Sequence, residues 1–83
     1  MIPSSNEAIR WTDSFLSKDY EVKMEDIVKA SYIYFKPTQE EMKILVPCGK
    51  EPLARNRITQ SIRVLRKEGK IIRTKRAFYK KVL

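Results

Sequence analysis

The sequence predicts a mainly helical α+β domain, with three to four helices followed by a two-stranded β-hairpin. Three observations carry this. Apolar residues recur at helical spacing as far as Gly69. Beyond Gly69 the pattern changes to the alternation expected of strands. Charge is also segregated. Residues 1–50 hold seven basic and eight acidic side chains and residues 51–83 hold eleven and two, so the whole excess of the +8 chain lies after residue 50. A solvated basic tail is the bland explanation. Solubility alone does not localise charge in this way, however, and the segregation points to a polyanionic partner.

Taken in order, residues 1–5 are expected as a disordered lead and residues 6–83 as a single domain. Ser5 or Asn6 can cap a first helix at about 6–18, with Glu7 in its first turn and Ala8, Ile9, Trp11, Thr12, Phe15 and Leu16 at helical spacing. Trp11 reads as a core anchor. Residues 20–24 alternate, as a short strand or an extended link. A second helix runs from Met24 to about Phe35, with Ile27, Val28, Ala30, Ser31 and Tyr34 near one face. The cluster Tyr32-Ile33-Tyr34-Phe35 is read as core packing rather than as a base-stacking platform.

Pro37 stops that helix, and Thr38 to Glu41 matches a capping box that opens a third helix at about 39–46, burying Met42, Leu45 and Val46. Pro47 to Pro52 is a turn by composition. It holds Cys48, which lacks a histidine base and is read as inert. Pro52 suits the first turn of a fourth helix at about 53–68, where Ala54, Ile58, Ser61, Ile62 and Leu65 form one stripe. Gly69 is placed to end it in the left-handed conformation. Two strands follow within about 70–83, with Ile72, Phe78 and Val82 expected to face inward. Their turn lacks Asn-Gly or Asp-Gly, so a looser tip is expected than a two-residue one.

Opposite the apolar stripe the fourth helix offers Arg55, Asn56, Thr59, Gln60, Arg63, Arg66 and Lys67. Glu68 is the only acid after Pro52, whereas an ordinary exposed helix mixes Glu with Lys. These are the side chains that reading DNA needs: arginine bonds guanine bidentately, asparagine or glutamine bonds adenine, and threonine bonds bases or phosphates. Arg73, Lys75 and Arg76 around the hairpin tip extend the positive surface along a backbone.

Three helices, a basic helix running into Val64-Leu65-Arg66-Lys67-Glu68-Gly69-Lys70-Ile71-Ile72, and a return strand at Phe78-Tyr79 resemble the winged helix-turn-helix family over roughly residues 20–83. The stretch RITQSIRVLRKEGKIIRTKRAFYKKV is also similar to the C-terminal winged domains of some restriction endonucleases, including the Dam-replacing type. The resemblance implies a recognition helix carrying Arg55, Asn56, Thr59, Gln60 and Arg63 in the major groove of double-stranded DNA, with a wing at Lys75 and Arg76. It implies a transcriptional regulator or the DNA-reading domain of a larger DNA-processing protein. One departure is the long turn before Pro52, which leaves open whether Arg55 and Asn56 reach bases or only phosphates.

Two other readings stay open: a winged-helix protein-interaction module within an assembly, and a binder of RNA or non-B-form duplex. The sequence has no histidine, no catalytic carboxylate pair and no glycine-rich phosphate loop, so neither catalysis nor a cofactor is expected. A lone cysteine makes a metal site unexpected and suggests a reducing compartment. No apolar run nears the ~20 residues that span a membrane, so a cytoplasmic, nucleoid-associated location is expected, or a nuclear one in a eukaryote. Whether the chain forms a homodimer or belongs to a parent protein stays open.

Overall fold

The computed structural model describes residues 1–82, and its order of elements explains how so short a chain closes a core. Helix α1 (Ser5–Phe15) leads through strand β1 (Val22–Lys23) into α2 (Met24–Phe35), α3 (Gln39–Met42) and α4 (Leu53–Lys67), and the chain ends in β2 (Ile71–Lys75) and β3 (Phe78–Lys81). The result is a mainly helical α+β domain with one antiparallel sheet in the order β1-β3-β2. No helix among the described residues is long and apolar enough to cross a membrane.

Helix α1 is capped by Ser4, one residue before the expected position. Ser4 Oγ accepts from Glu7 N at 3.2 Å and Glu7 Oε1 accepts from Ser4 N at 3.0 Å. This reciprocal box needs Glu three residues beyond the cap, and only Ser4 has Glu7 at that distance. Within the stretch expected as a lead, Pro3 is buried and Ile2 N donates to Glu41 Oε2 at 3.3 Å. The alternating segment at residues 20–24 contributes a strand: Val22 pairs with Tyr79 and Lys23 with Phe78, making the hairpin a three-stranded sheet.

The Thr38–Glu41 capping box forms as expected, but α3 lasts only four residues. Leu45 then bridges Pro52, Val46 N donates to Glu51 O at 3.1 Å and Leu53 N to Ile44 O at 2.8 Å. These bonds draw residues 44–46 out into extended backbone. Val46 therefore turns inward while Leu45, expected to be buried, stays exposed.

Helix α4 buries its expected stripe, Ala54, Ile58, Ser61, Ile62 and Leu65, against α1, α2 and β2. With Ala8, Leu16, Ile27, Val28, Ile71 and Tyr79 these residues form the core. The two buried serines are satisfied, Ser31 Oγ by Val28 O and Ser61 Oγ by Arg57 O, both at 2.6 Å. Gly69 ends α4 with φ 76°; its N–H reaches Arg66 O at 3.0 Å, and Lys70 N reaches Leu65 O at 2.9 Å. That is the Schellman pattern, which needs a left-handed residue here. An added Cβ would meet nothing within 4 Å, so the expected effect of Gly69→Ala is conformational strain alone. It should destabilise the domain by about 1 kcal/mol, readable as a lower urea midpoint at unchanged slope.

The hairpin departs from expectation twice. Ile71 and Tyr79 face the core, while Ile72 and Val82, expected inward, are each more than two-fifths exposed. The adjacent isoleucines made the strand parity ambiguous, and packing of Ile71 under α4 decides it. The tip is also tighter than expected, since Lys75 pairs with Phe78 across Arg76-Ala77 alone. Ala77 takes φ 64° without being glycine. Two features accommodate this: a register shift between Arg73 and Lys75, and a 2.7 Å bond in which Ala77 O accepts from Met24 N.

The aromatic cluster ending α2 divides. Tyr32 and Phe35 are half-buried, but Ile33 and Tyr34 are 75% and 66% exposed, so the expected core role fails for these two. Helix α2 packs on α4 mainly through its earlier turns, which carry the buried Ile27, Val28 and Ser31. Trp11 is half-buried and stacks on Phe15 with centroids 4.8 Å apart.

Candidate nucleic-acid interface

Helical geometry sorts the polar side chains of α4 into two groups. Asn56, Gln60, Arg63 and Lys67, at i, i+4, i+7 and i+11, lie on one line directly opposite the buried stripe. Arg55, Thr59 and Arg66 lie on one flank of that line. Gln60, Arg63, Arg66 and Lys67 are exposed, whereas Arg55, Asn56 and Thr59 are half-buried. Arg63, Arg66 and Lys67 together line a shallow depression.

The ten expected side chains do not share one electrostatic situation. Among the described residues no carboxylate lies within 4.0 Å of Arg63, Lys67, Arg73 or Arg76. Gln60 makes no hydrogen bond through its side chain there either. Arg66 lies over the Tyr79 ring at 5.8 Å from its centroid, which ties the end of α4 to β3 while leaving the guanidinium accessible.

Arg55, by contrast, is engaged. Its Nη2 and Nη1 donate to Glu25 Oε1 and Oε2 at 2.7 and 3.1 Å, a bidentate pair between α4 and α2, and its Nε lies 3.5 Å from Glu51 Oε2. Asn56 Nδ2 donates to the other oxygen of Glu51 at 2.8 Å. Thr59 Oγ1 is turned back on the helix, donating to Asn56 O at 3.1 Å. The Arg55 guanidinium holds the Glu25 carboxyl below the usual range, and Glu25 in turn raises Arg55 above its own.

At the hairpin, Lys75 Nζ lies 3.1 Å from Glu21 Oε1 and 4.5 Å from the centre of the Phe78 ring. Thr74 Oγ1 donates to the other Glu21 oxygen. The Thr74 hydroxyl and then Lys75 lower the Glu21 carboxyl. Arg73 and Arg76 are exposed beside this paired lysine. Arg57, the one α4 arginine outside the expected set, points toward α1 and donates from Nη1 to Ser5 Oγ at 2.6 Å.

Three acids shape the surface that composition did not reveal: Glu21, Glu25 and Glu51. Glu51 had a local signal, being four residues before Arg55. Glu21 and Glu25 had none, because each meets its partner only through the tertiary fold. Comparison of the chain with protein-family models, with curated proteins and with solved structures returns no match.

Proposed function

We propose that this chain is a winged-helix domain that binds double-stranded DNA, with α4 in the major groove and the β2–β3 hairpin as a wing on the phosphate backbone. The observation that carries it is the line of Gln60, Arg63 and Lys67, exposed opposite the buried stripe and continued by Arg73 and Arg76, with no carboxylate partner among the described residues for any of the four cations. Four basic side chains left without acids are a surface that phosphate can neutralise.

The order of elements supports the same reading. A short strand before α2 and a hairpin after the basic helix are what a winged helix requires, while the long turn into that helix is a departure from it. Helix α4, at 15 residues, is about 22 Å long, enough to lie along a major groove about 12 Å wide. Gln60 and Arg63 carry the donors and acceptors for base edges, while Lys67, Arg73 and Arg76 suit phosphates.

The test is a shift assay at low salt with a 30-base-pair DNA duplex against a structured RNA of equal length. Preferential binding of the DNA is expected. RNA preference would replace this reading with the RNA one. A second reading, a protein-assembly module, draws on the exposure of Ile33, Tyr34, Ile44 and Leu45. Scattered exposed apolar residues are common on soluble domains, so this is the weaker support.

A further inference from the structure

Two neighbouring residues of the first turns of α4 would both be assigned to base reading by residue type, Arg55 and Asn56. The side chains around them treat the two differently. Arg55 spends its fork on Glu25, with both terminal nitrogens bonded to both carboxylate oxygens, and turns its Nε toward Glu51. A guanidinium so bound has its bidentate edge occupied, and the paired carboxylate beside it repels phosphate. Asn56 is bonded through a single amide N–H to Glu51 Oε1. One N–H and the carbonyl oxygen remain, which is the donor–acceptor pair that adenine offers its complement to in the major groove. Asn56 also stands on the outward line with Gln60 and Arg63, whereas Arg55 stands on the flank.

We propose that Glu51 and Glu25 form a carboxylate clamp that withholds Arg55 from the duplex and orients the Asn56 amide to read adenine. The proposal rests on the DNA-binding reading. Glu51 is on this account a positioning residue: it touches no base and acts through Asn56. Glu25 acts through Arg55, joining α2 to the start of α4. The clamp also assigns the departure noted in the sequence, the long turn before Pro52, a role. The turn carries Glu51, whose backbone carbonyl accepts from Val46 N at 3.1 Å, so its side chain is presented from a tethered position.

The experiment is selection of bound duplexes from a random pool by the full 83-residue chain, carried out in parallel for wild type, Asn56→Ala, Glu51→Ala, Glu51→Asp and Arg55→Ala, followed by titration of each winning duplex. Wild type is expected to select adenine at one position. Asn56→Ala and Glu51→Ala should both lose that preference by about fivefold or more while leaving the other selected positions in place, and Glu51→Asp should recover part of it. Arg55→Ala should keep the selected motif and bind within about twofold of wild type, although its thermal midpoint falls with the lost pair. A merely structural Glu51 would lower the melting temperature without changing preference at one position. The proposal is overturned if Glu51→Ala keeps the adenine, or if Arg55→Ala removes a guanine preference. If no variant, wild type included, retains any duplex at low salt, the DNA-binding reading fails and the clamp falls with it.

Discussion

Arg63→Ala is expected to weaken binding to a preferred duplex by about 1–3 kcal/mol, roughly 5- to 150-fold in Kd, and to relax preference at one base position. Arg63 sits mid-helix on the outward line, exposed and with no carboxylate within 4.0 Å among the described residues, so none of them competes for its fork. Arg63→Lys should recover charge but not the bidentate geometry, and so restore affinity more than preference. Arg73→Ala and Arg76→Ala should behave differently. On a backbone-contacting hairpin each would weaken all duplexes alike and reduce the salt slope by about 0.9. Fluorescence anisotropy with preferred and scrambled duplexes separates the two patterns. Equal losses on both duplexes for Arg63→Ala would move that residue from base reading to phosphate contact.

Leu65→Ala should be the most damaging single change to the fold. Leu65 is fully buried where α4 meets the core, and truncation leaves a cavity, an effect of about 2–5 kcal/mol. In a domain whose total stability is of order 5–10 kcal/mol, this lowers the thermal midpoint by tens of degrees, roughly. Leu45→Ala provides the contrast. Leu45 is 51% exposed, so its loss should stay within about 0.5 kcal/mol. Urea unfolding followed by circular dichroism reads both; a destabilised Leu45→Ala would mean that the turn before α4 is held by more than its backbone bonds.

Much of this architecture was legible because it is written in local rules. The stripe on α4, the capping box at Thr38 and the left-handed end at Gly69 each follow from spacing or from one residue's conformational freedom. The opposing face of α4 was legible for the same reason, since a helix with one buried line must present the other. Features set by distant pairing were not. Strand β1 is two residues long and exists through pairing with Tyr79 and Phe78, more than fifty positions away. Local pattern also could not choose between Ile71 and Ile72 as the inward residue. Nor could it show that Lys75 and Arg55 are partnered, because Glu21 and Glu25 reach them across the fold. The candidate surface is basic by composition but not uniform in its pairing. Its Arg55 end is neutralised, and among the described residues its unpaired charge gathers at Arg63, Arg66, Lys67, Arg73 and Arg76.

Duplex affinity measured as a function of salt tests the central proposal most directly. If Lys67, Arg73 and Arg76 meet phosphate, log Kd should rise linearly with log salt, with a slope of about 2.7 from three contacts at 0.9 each. The triple alanine variant of these residues, still folded by circular dichroism, should lose nearly all of that slope. A wild-type slope near zero, or no duplex binding at 50 mM salt, would contradict it.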